Sequence, residues 1–442
     1  MIKLKVNTRD RDENNNPRIL ELTHFDEIDI SLKYDSVMST FRFKIYFNEN
    51  NQEIAEILAP SHMHEVSIYY VHEKPGTYWD IVETIRGKRL TYEKKKVKNT
   101  YDELLITGFA VNTIFKETAK PEWVEIGGFS KCGILERADI PTSAMDLGLE
   151  SSGVSFASIA QKIMRFFANK YRGGFDFKVE STIAYSKFPS VAVEQSVRSY
   201  YKEVLKLTEE QTEEEITKTT APESGTVLAY LKKLAVQKGL VLSHNMFGDL
   251  VINVAYTGDE YLFEVGTGDG SLNYIEMSCG YNGDNMYSDI EVIRQPDKNG
   301  GNLSKAVVNV TTKPDKEVSL RNPLCRIVYI PKVITQTFGD DVSATQLARR
   351  ELANTYKEVP LLVKLHKPTV NGTFIRPNNT IRAKSRSNYL YKPSKWFINE
   401  VNYIKSSKDE FCNVKCVLPG TYNNAPERQV DPFLEGKNHP HV

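Results

Sequence analysis

Residues 342–420 constrain the fold more tightly than any other stretch of this 442-residue chain. Ser343 followed three residues later by Gln346 is a capping box, the pattern that satisfies free amides at a helix start. Leu347, Leu352 and Tyr356, with Ala344, Ala348 and Ala353, recur at helical spacing, so the spacing predicts a helix with one buried face. Pro360 and Pro368 end any helical reading, and Val359, Leu361, Val363 and Leu365 then alternate as a half-buried strand does. A turn at Pro377-Asn378-Asn379 follows, with strands about Ile381, from Trp396 to Tyr403 and from Phe411 to Leu418. Together these predict a helix feeding an antiparallel meander.

The first 130 residues also read as β. Phe41, Phe43, Ile45 and Phe47 alternate with polar residues, as do Val66 and Ile68, and a run from Leu105 to Val111 closes the pattern. Between Tyr78 and Leu104 lies a charged excursion with Arg86, Lys88, Arg89, Lys94, Lys95, Lys96 and Lys98, predicted as a hairpin arm that is either solvated or a contact for an acidic neighbour. From Val124 to Ile140 a strand is expected to turn at Gly127 and Gly128 into a short helical element.

The period then changes. Phe156, Ile159, Ala160, Ile163, Phe166 and Phe167 share one helical face, with a strand predicted from Phe175 to Val179. A second helix-plus-strand unit begins at Gly225, with a helix ending at Gly239, a strand at Leu240-Val241-Leu242, a hairpin turn at Phe247-Gly248-Asp249 and a strand at Leu250-Val251-Ile252. Between them, residues 185–222 are poorly patterned and carry Glu209, Glu210, Glu213, Glu214 and Glu215, which reads as a solvated helix or a mobile surface segment. From Tyr261 to Val333 the reading returns to β, with strands at Tyr287–Ile293, Ala306–Val310 and Cys325–Ile330.

The order of helix, long strand, Phe374-Ile375-Arg376-Pro377-Asn378 turn, Trp396-Phe397-Ile398-Asn399-Glu400-Val401 strand and a last strand ending in Val417-Leu418-Pro419-Gly420 resembles the C-terminal part of the baseplate hub proteins of contractile-tailed phages, the phage Mu type. That family is related to the hub module of valine-glycine-repeat spike proteins. Ile106-Thr107-Gly108-Phe109, Gly127-Gly128-Phe129 and Ile134-Leu135-Glu136-Arg137-Ala138 resemble the end of the family's first barrel, and Tyr287-Ser288-Asp289-Ile290 leading to Arg294-Gln295 its second. The resemblance runs in order over most of the chain, outside residues 70–100, 185–222 and the tail after Tyr422.

The resemblance implies a mainly β fold with α+β insertions: two related antiparallel β-barrels plus small helix-strand domains. Residues 1–140 would form the first barrel with its charged arm, 141–256 the two helix-strand units with their acidic linker, 257–422 the second barrel with the helix at 343–357, and 423–442 a polar tail. It further implies a homotrimeric ring between a six-fold tail tube and a three-fold central spike. Partners are then the spike, tube and baseplate wedge proteins, with DNA only in transit through the channel and no stable membrane association. The place is the tail baseplate of a virion or related injection system, assembled in host cytoplasm. A structural ring works through interfaces, and Trp396 is a candidate anchor, with barrel core as its other role. A carbohydrate- or receptor-binding tail-tip protein is the competing class, which the 23 tyrosines and 20 phenylalanines would suit.

Composition narrows function by exclusion. With 57 basic and 57 acidic residues the chain lacks the basic excess of a dedicated nucleic-acid binder. No apolar run reaches the length of a membrane span, and Met1-Ile2-Lys3-Leu4-Lys5-Val6 has no hydrophobic signal region. Cys132, Cys279, Cys325, Cys412 and Cys416 are odd in number and scattered, so free buried thiols are expected, with Cys412 and Cys416 on one strand face. Gly266-Thr267-Gly268-Asp269-Gly270 lacks the Gly-Lys-Ser/Thr ending of a phosphate loop and reads as a β turn. His62-Met63-His64 has no third ligand at a supporting spacing and reads as a surface or strand-edge pair. Without a nucleophile elbow or a zinc-protease helix, no enzymatic activity, cofactor or metal is expected.

Overall fold

The computed structural model describes residues 1–11, 17–47, 63–83, 90–116, 122–140, 155–170, 178–181, 208, 225–237, 240–253, 260–268, 270–295, 316–325, 327–337, 344–422 and 431–433. Its N-terminal part is β1 (Ile2–Arg11), β2 (Pro17–Leu22), β3 (Glu27–Lys33), β4 (Thr40–Phe47), β5 (Glu65–Glu83), β6 (Leu90–Lys116) and β7 (Glu122–Ser130), followed by the short helix α1 (Ile134–Arg137). In β4 the alternation expected from sequence is present: Phe41, Phe43 and Ile45 are buried while Arg42 and Tyr46 face out. The two glycines thought to mark a turn lie instead inside β7. Gly128 is there for close approach, because a Cβ on it would stand 2.1 Å from the Phe109 carbonyl oxygen and 2.3 Å from the Phe41 ring, whereas one on Gly127 would meet nothing nearer than Asn112 at 3.5 Å.

The middle of the chain folds as one α/β unit. Helix α2 (Phe156–Lys170), strand β8 (Val179–Ser181), helix α3 (Val227–Gln237) and strands β9 (Val241–His244) and β10 (Leu250–Asn253) are its elements. Both helices start at a hydroxyl cap. The Ser155 Oγ accepts from the Ser158 amide at 3.3 Å, and the Thr226 Oγ1 from the Ala229 amide at 3.2 Å. The two helix-plus-strand segments are not separate, because β8 pairs in parallel with β10 and one three-stranded sheet, β8-β10-β9, serves both. Their buried faces, Phe156, Ile159 and Ile163 from α2 with Leu228 and Leu231 from α3, enter a single core with Cys132 and Leu135. The predicted strand at Phe175 begins only at Val179, its first residues lying outside the described set.

The last part comprises β11 (Glu264–Gly266), β12 (Tyr274–Cys279), β13 (Asp289–Gln295), β14 (Lys316–Arg321), β15 (Pro331–Thr337), helix α4 (Ala344–Thr355), β16 (Leu361–Leu365), the short pair β17 (Thr369–Val370) and β18 (Thr373–Phe374), then β19 (Thr380–Ser385), β20 (Leu390–Lys405) and β21 (Glu410–Val417). Ala348, Leu352 and Ala353 of α4 are buried with Tyr356, and Leu361, Val363 and Leu365 of β16 point inward, as the periodicity predicts. The capping box at Ser343 falls outside the described residues. Strands β19, β20 and β21 form the expected meander, but β16 joins it beyond β21 rather than beside β19.

In the segment from Cys325 to Ile330, predicted as a strand, the described residues form no strand, and the strand starts at Pro331. The cause is upstream. The Asn322 side chain accepts from the Leu324 amide at 2.9 Å and donates to the Tyr287 carbonyl at 2.8 Å, bending the chain at Pro323. Ile327 is left 97 % exposed and Tyr329 72 %. The Ala306–Val310 strand lies outside the described residues.

The protein is mainly β, and its largest sheet runs β12-β16-β21-β20-β3-β4-β7-β6-β5-β1-β2, with β19 beside β20 and β11 beside β19. Strand β20 is the junction. On one side it pairs with β21, and on the other it pairs with β3 from Glu400↔Lys33 to Lys405↔Ile28. One apolar core therefore contains Phe43 and Ile126 together with Tyr356, Ile381 and Trp396.

Candidate functional site

Strand β1 pairs with β5 only as far as Tyr70, and β7 pairs with β6 only from Gly108 onward. Outward from His72 and Tyr101, among the described residues, β5 and β6 pair with each other alone, through twelve ladder positions to Glu83↔Leu90. At strand rise this two-stranded ribbon is about 40 Å long. The predicted arm is thus a β-hairpin. An isolated two-stranded ribbon is marginal in water, so its base needs support.

Support comes from a polar joint between the arm's root and the loop that carries β18. The Glu103 carboxylate accepts from His72 Nε2 at 2.7 Å, from the Phe374 amide at 3.0 Å, and from Arg376 Nε at 3.2 Å and Nη2 at 2.9 Å. Arg376 also donates to the Leu104 carbonyl at 2.5 Å, and the Tyr101 hydroxyl donates to the Gly372 carbonyl. His72 stacks on Tyr101 at 4.5 Å, and Phe374 packs between Tyr70 and Tyr403. Burial pushes the Glu103 pKa up, but the hydrogen bonds from Phe374, Arg376 and His72 outweigh it, and the net displacement is downward. Glu103 and Arg376 are 273 residues apart in sequence, so no local pattern announces the pair.

Of the residues singled out from sequence, Lys94, Lys95 and Lys96 lie on the arm, in register with Trp79, Tyr78 and Thr77. Arg86, Lys88 and Arg89, and Glu209, Glu210, Glu213, Glu214 and Glu215, lie outside the described residues. Trp396 is a core residue with 0 % exposure, its indole N–H donating to Ser394 Oγ at 2.8 Å, so it presents no ring face to a partner.

The sequence reading missed a Ser–His pair at the seam between the main sheet and the α/β unit. Ser39 Oγ lies 2.6 Å from His244 Nε2, and His244 Nδ1 lies 2.9 Å from the Asn245 carbonyl oxygen. A carbonyl only accepts, so Nδ1 carries the proton and Nε2 accepts from the serine hydroxyl. Burial holds the His244 pKa down, in keeping with a neutral ring. Ser39 is fully buried and its Oγ also accepts from the Lys33 amide at 3.0 Å, so the pair fastens two modules and offers no opening to a substrate.

Among the described residues no group of three or more His, Cys, Asp or Glu is placed to hold a metal ion. His64 is buried at the start of β5 rather than exposed, and His62 lies outside the described residues. All five cysteines are free. Cys412 and Cys416 do share the buried face of β21, where burial raises both thiol pKa values, that of Cys412 to about 12. Gly266, the last residue of β11, and Gly270 beyond it take positive φ, and the next element is strand β12 rather than a helix.

No protein-family model matches the chain, and no curated protein matches it. Solved structures do. A tail protein from Neisseria meningitidis superposes with a TM-score of 0.62 at 12 % identity, over 96 % of this chain and 98 % of that one. The 43 kDa tail protein of prophage MuSo2 from Shewanella oneidensis gives 0.60 at 13 % identity, over 95 % and 99 %. The chain has the fold of these tail proteins. The tail-protein fold spans both β regions and the α/β unit between them, with no large segment of either neighbour left over.

Proposed function

We propose that this chain is a structural hub of a contractile tail or related injection system, a homotrimer whose two related β regions, 1–140 and 257–422, build a ring. The ring adapts a six-fold tube to a three-fold spike and surrounds the channel. End-to-end likeness to two tail proteins is the observation that carries the reading. A duplicated β region gives a symmetry-matching device its physical logic, since two near-equivalent surfaces per subunit appear six times around a three-fold axis. Exposed apolar residues at Ile327, Val328 and Tyr329 and a two-stranded arm are features a closed assembly would cover. The basic arm, including Lys94, Lys95 and Lys96, is read as a contact for an acidic neighbour.

The test is solution mass. Light scattering on the purified chain is expected to give three times 50.3 kDa, and negative-stain images a ring with an open centre. A well-folded, strictly monomeric protein at tens of micromolar overturns the reading. Reversing the charge of Lys94, Lys95 and Lys96 is expected to weaken assembly at low salt and to matter little at molar salt, where the Debye length is about 3 Å.

A further inference from the structure

A cavity of about 340 Å³ opens where the α/β unit meets the main sheet. Helix α3 contributes Lys232 and Ala235, the stretch into β9 contributes Leu240 and Leu242, and α4 contributes Arg350. Asp35 also lines the cavity, and its Oδ2 is engaged. It takes Lys357 Nζ at 3.2 Å and the Tyr422 hydroxyl at 2.9 Å, with Lys357 lying over the Tyr422 ring.

The two remaining cations are not engaged. Among the described residues nothing hydrogen-bonds or ion-pairs with the Arg350 guanidinium, and its neighbour in sequence, Glu351, is taken by Lys332. Lys232 has no partner there either. Burial lowers the Arg350 pKa, and the nearby Glu351 carboxylate offsets that only in part. Half-buried charges are retained at a cost unless something pairs with them. A cavity at the small end of the range for ligand sites, lined by two cations without hydrogen-bond partners among the described residues and by leucines, suits an anion on a short apolar stem.

We propose that this cleft binds a carboxylate side chain, Glu or Asp, on an extended acidic segment of a neighbouring protein. Arg350 and Lys232 are its hydrogen-bond donors, and Leu240 and Leu242 pack on its methylenes. A singly charged group matches the wall better than a phosphate, which would set two negative charges in the same cavity as Asp35. The source of the segment rests on the multi-protein assembly proposed above, while the chemistry rests on the cleft alone.

The test uses the full chain and titration calorimetry with acetyl-Glu-Glu-amide, its Gln-Gln counterpart and inorganic phosphate. The acidic dipeptide is expected to bind at millimolar or lower concentration, the Gln-Gln form is not, and Arg350→Gln is expected to weaken binding about tenfold or more. Lys408→Gln, in an exposed turn, leaves binding unchanged. Should Arg350→Gln fail to fold, Lys232→Gln carries the same expectation. Equal binding of the Gln-Gln form, tighter binding of phosphate, unchanged affinity in the cation variants, or no binding of the acidic dipeptide each overturn the proposal. The molar mass of the same sample separates this outcome from the assembly: a monomer that binds the dipeptide sinks the hub, and a trimer that ignores it sinks the cleft.

Discussion

Removing the Glu103 carboxylate tests whether the joint at the arm's root holds the fold together as its geometry says. Glu103→Ala leaves the Arg376 guanidinium, the His72 ring and the Phe374 amide short of the acceptor they share. Each charge-assisted hydrogen bond contributes about 1.5–3 kcal/mol, and removing one partner of a buried pair costs about 3–5 kcal/mol. The carboxylate is 18 % exposed and Arg376 25 %, so water recovers part of that, and the four bonds do not add. The expected loss is about 3 kcal/mol at pH 7, and roughly half that for Glu103→Gln, which keeps an acceptor oxygen. Hydrogen exchange gives the local readout: the Phe374 amide is expected to lose about a hundredfold in protection. The sign of the pH dependence follows from the depressed pKa. Stability from Glu103 is present above the unfolded carboxyl pKa and is lost as pH falls through the lower folded value, so wild type and Glu103→Gln converge in acid. A Glu103→Ala protein within 0.5 kcal/mol of wild type, with Phe374 exchange unchanged, would refute the joint's role.

Three further outcomes are expected. Gly128→Ala drives a methyl into the Phe109 carbonyl and the Phe41 ring and is expected to cost about 3 kcal/mol, read by urea melts at matched concentration. The His244 pKa is depressed in the folded chain, so below about pH 6.5 the unfolded state takes up a proton the folded state refuses; stability falls with pH there, and His244→Gln flattens that part of the profile. A fragment ending at Asp341 removes β20 from the edge of β3 and α4 from Ile290 and Val292, and is expected to be insoluble; a soluble fragment with a cooperative melt contradicts the single core.

Periodic segments were legible in the sequence because one side of each meets a core and the other meets water. The alternation at Phe41, Phe43 and Ile45 and the stripe through Ala348 and Leu352 needed nothing beyond local spacing. Cys325 to Ile330 misled for the opposite reason, since an apolar run says strand unless one sees that Asn322 ties off a turn just before it. The polar joint and the cleft were invisible because their residues come together only through topology: Asp35 and Tyr422 meet across 387 positions, Glu103 and Arg376 across 273. The stretch 423–442 was expected to be a polar tail, yet Phe433 packs against the main core beside Tyr281, a contact that a single aromatic in a polar stretch does not advertise.

The β3–β20 pairing also sets a timetable for synthesis. Ser31 and its hydrogen-bonding partner Glu400 are 369 residues apart. At about 5–20 residues per second a ribosome takes roughly 20–70 s to cover that span. Throughout that interval β3 has one bare edge, and the first hairpins wait for a strand not yet made. Nascent chains crowded on one message are therefore open to strand exchange with each other, and a chain cut short by a frameshift or a protease cannot present a finished surface. Until β20 is made, the β3 edge stays without its partner strand.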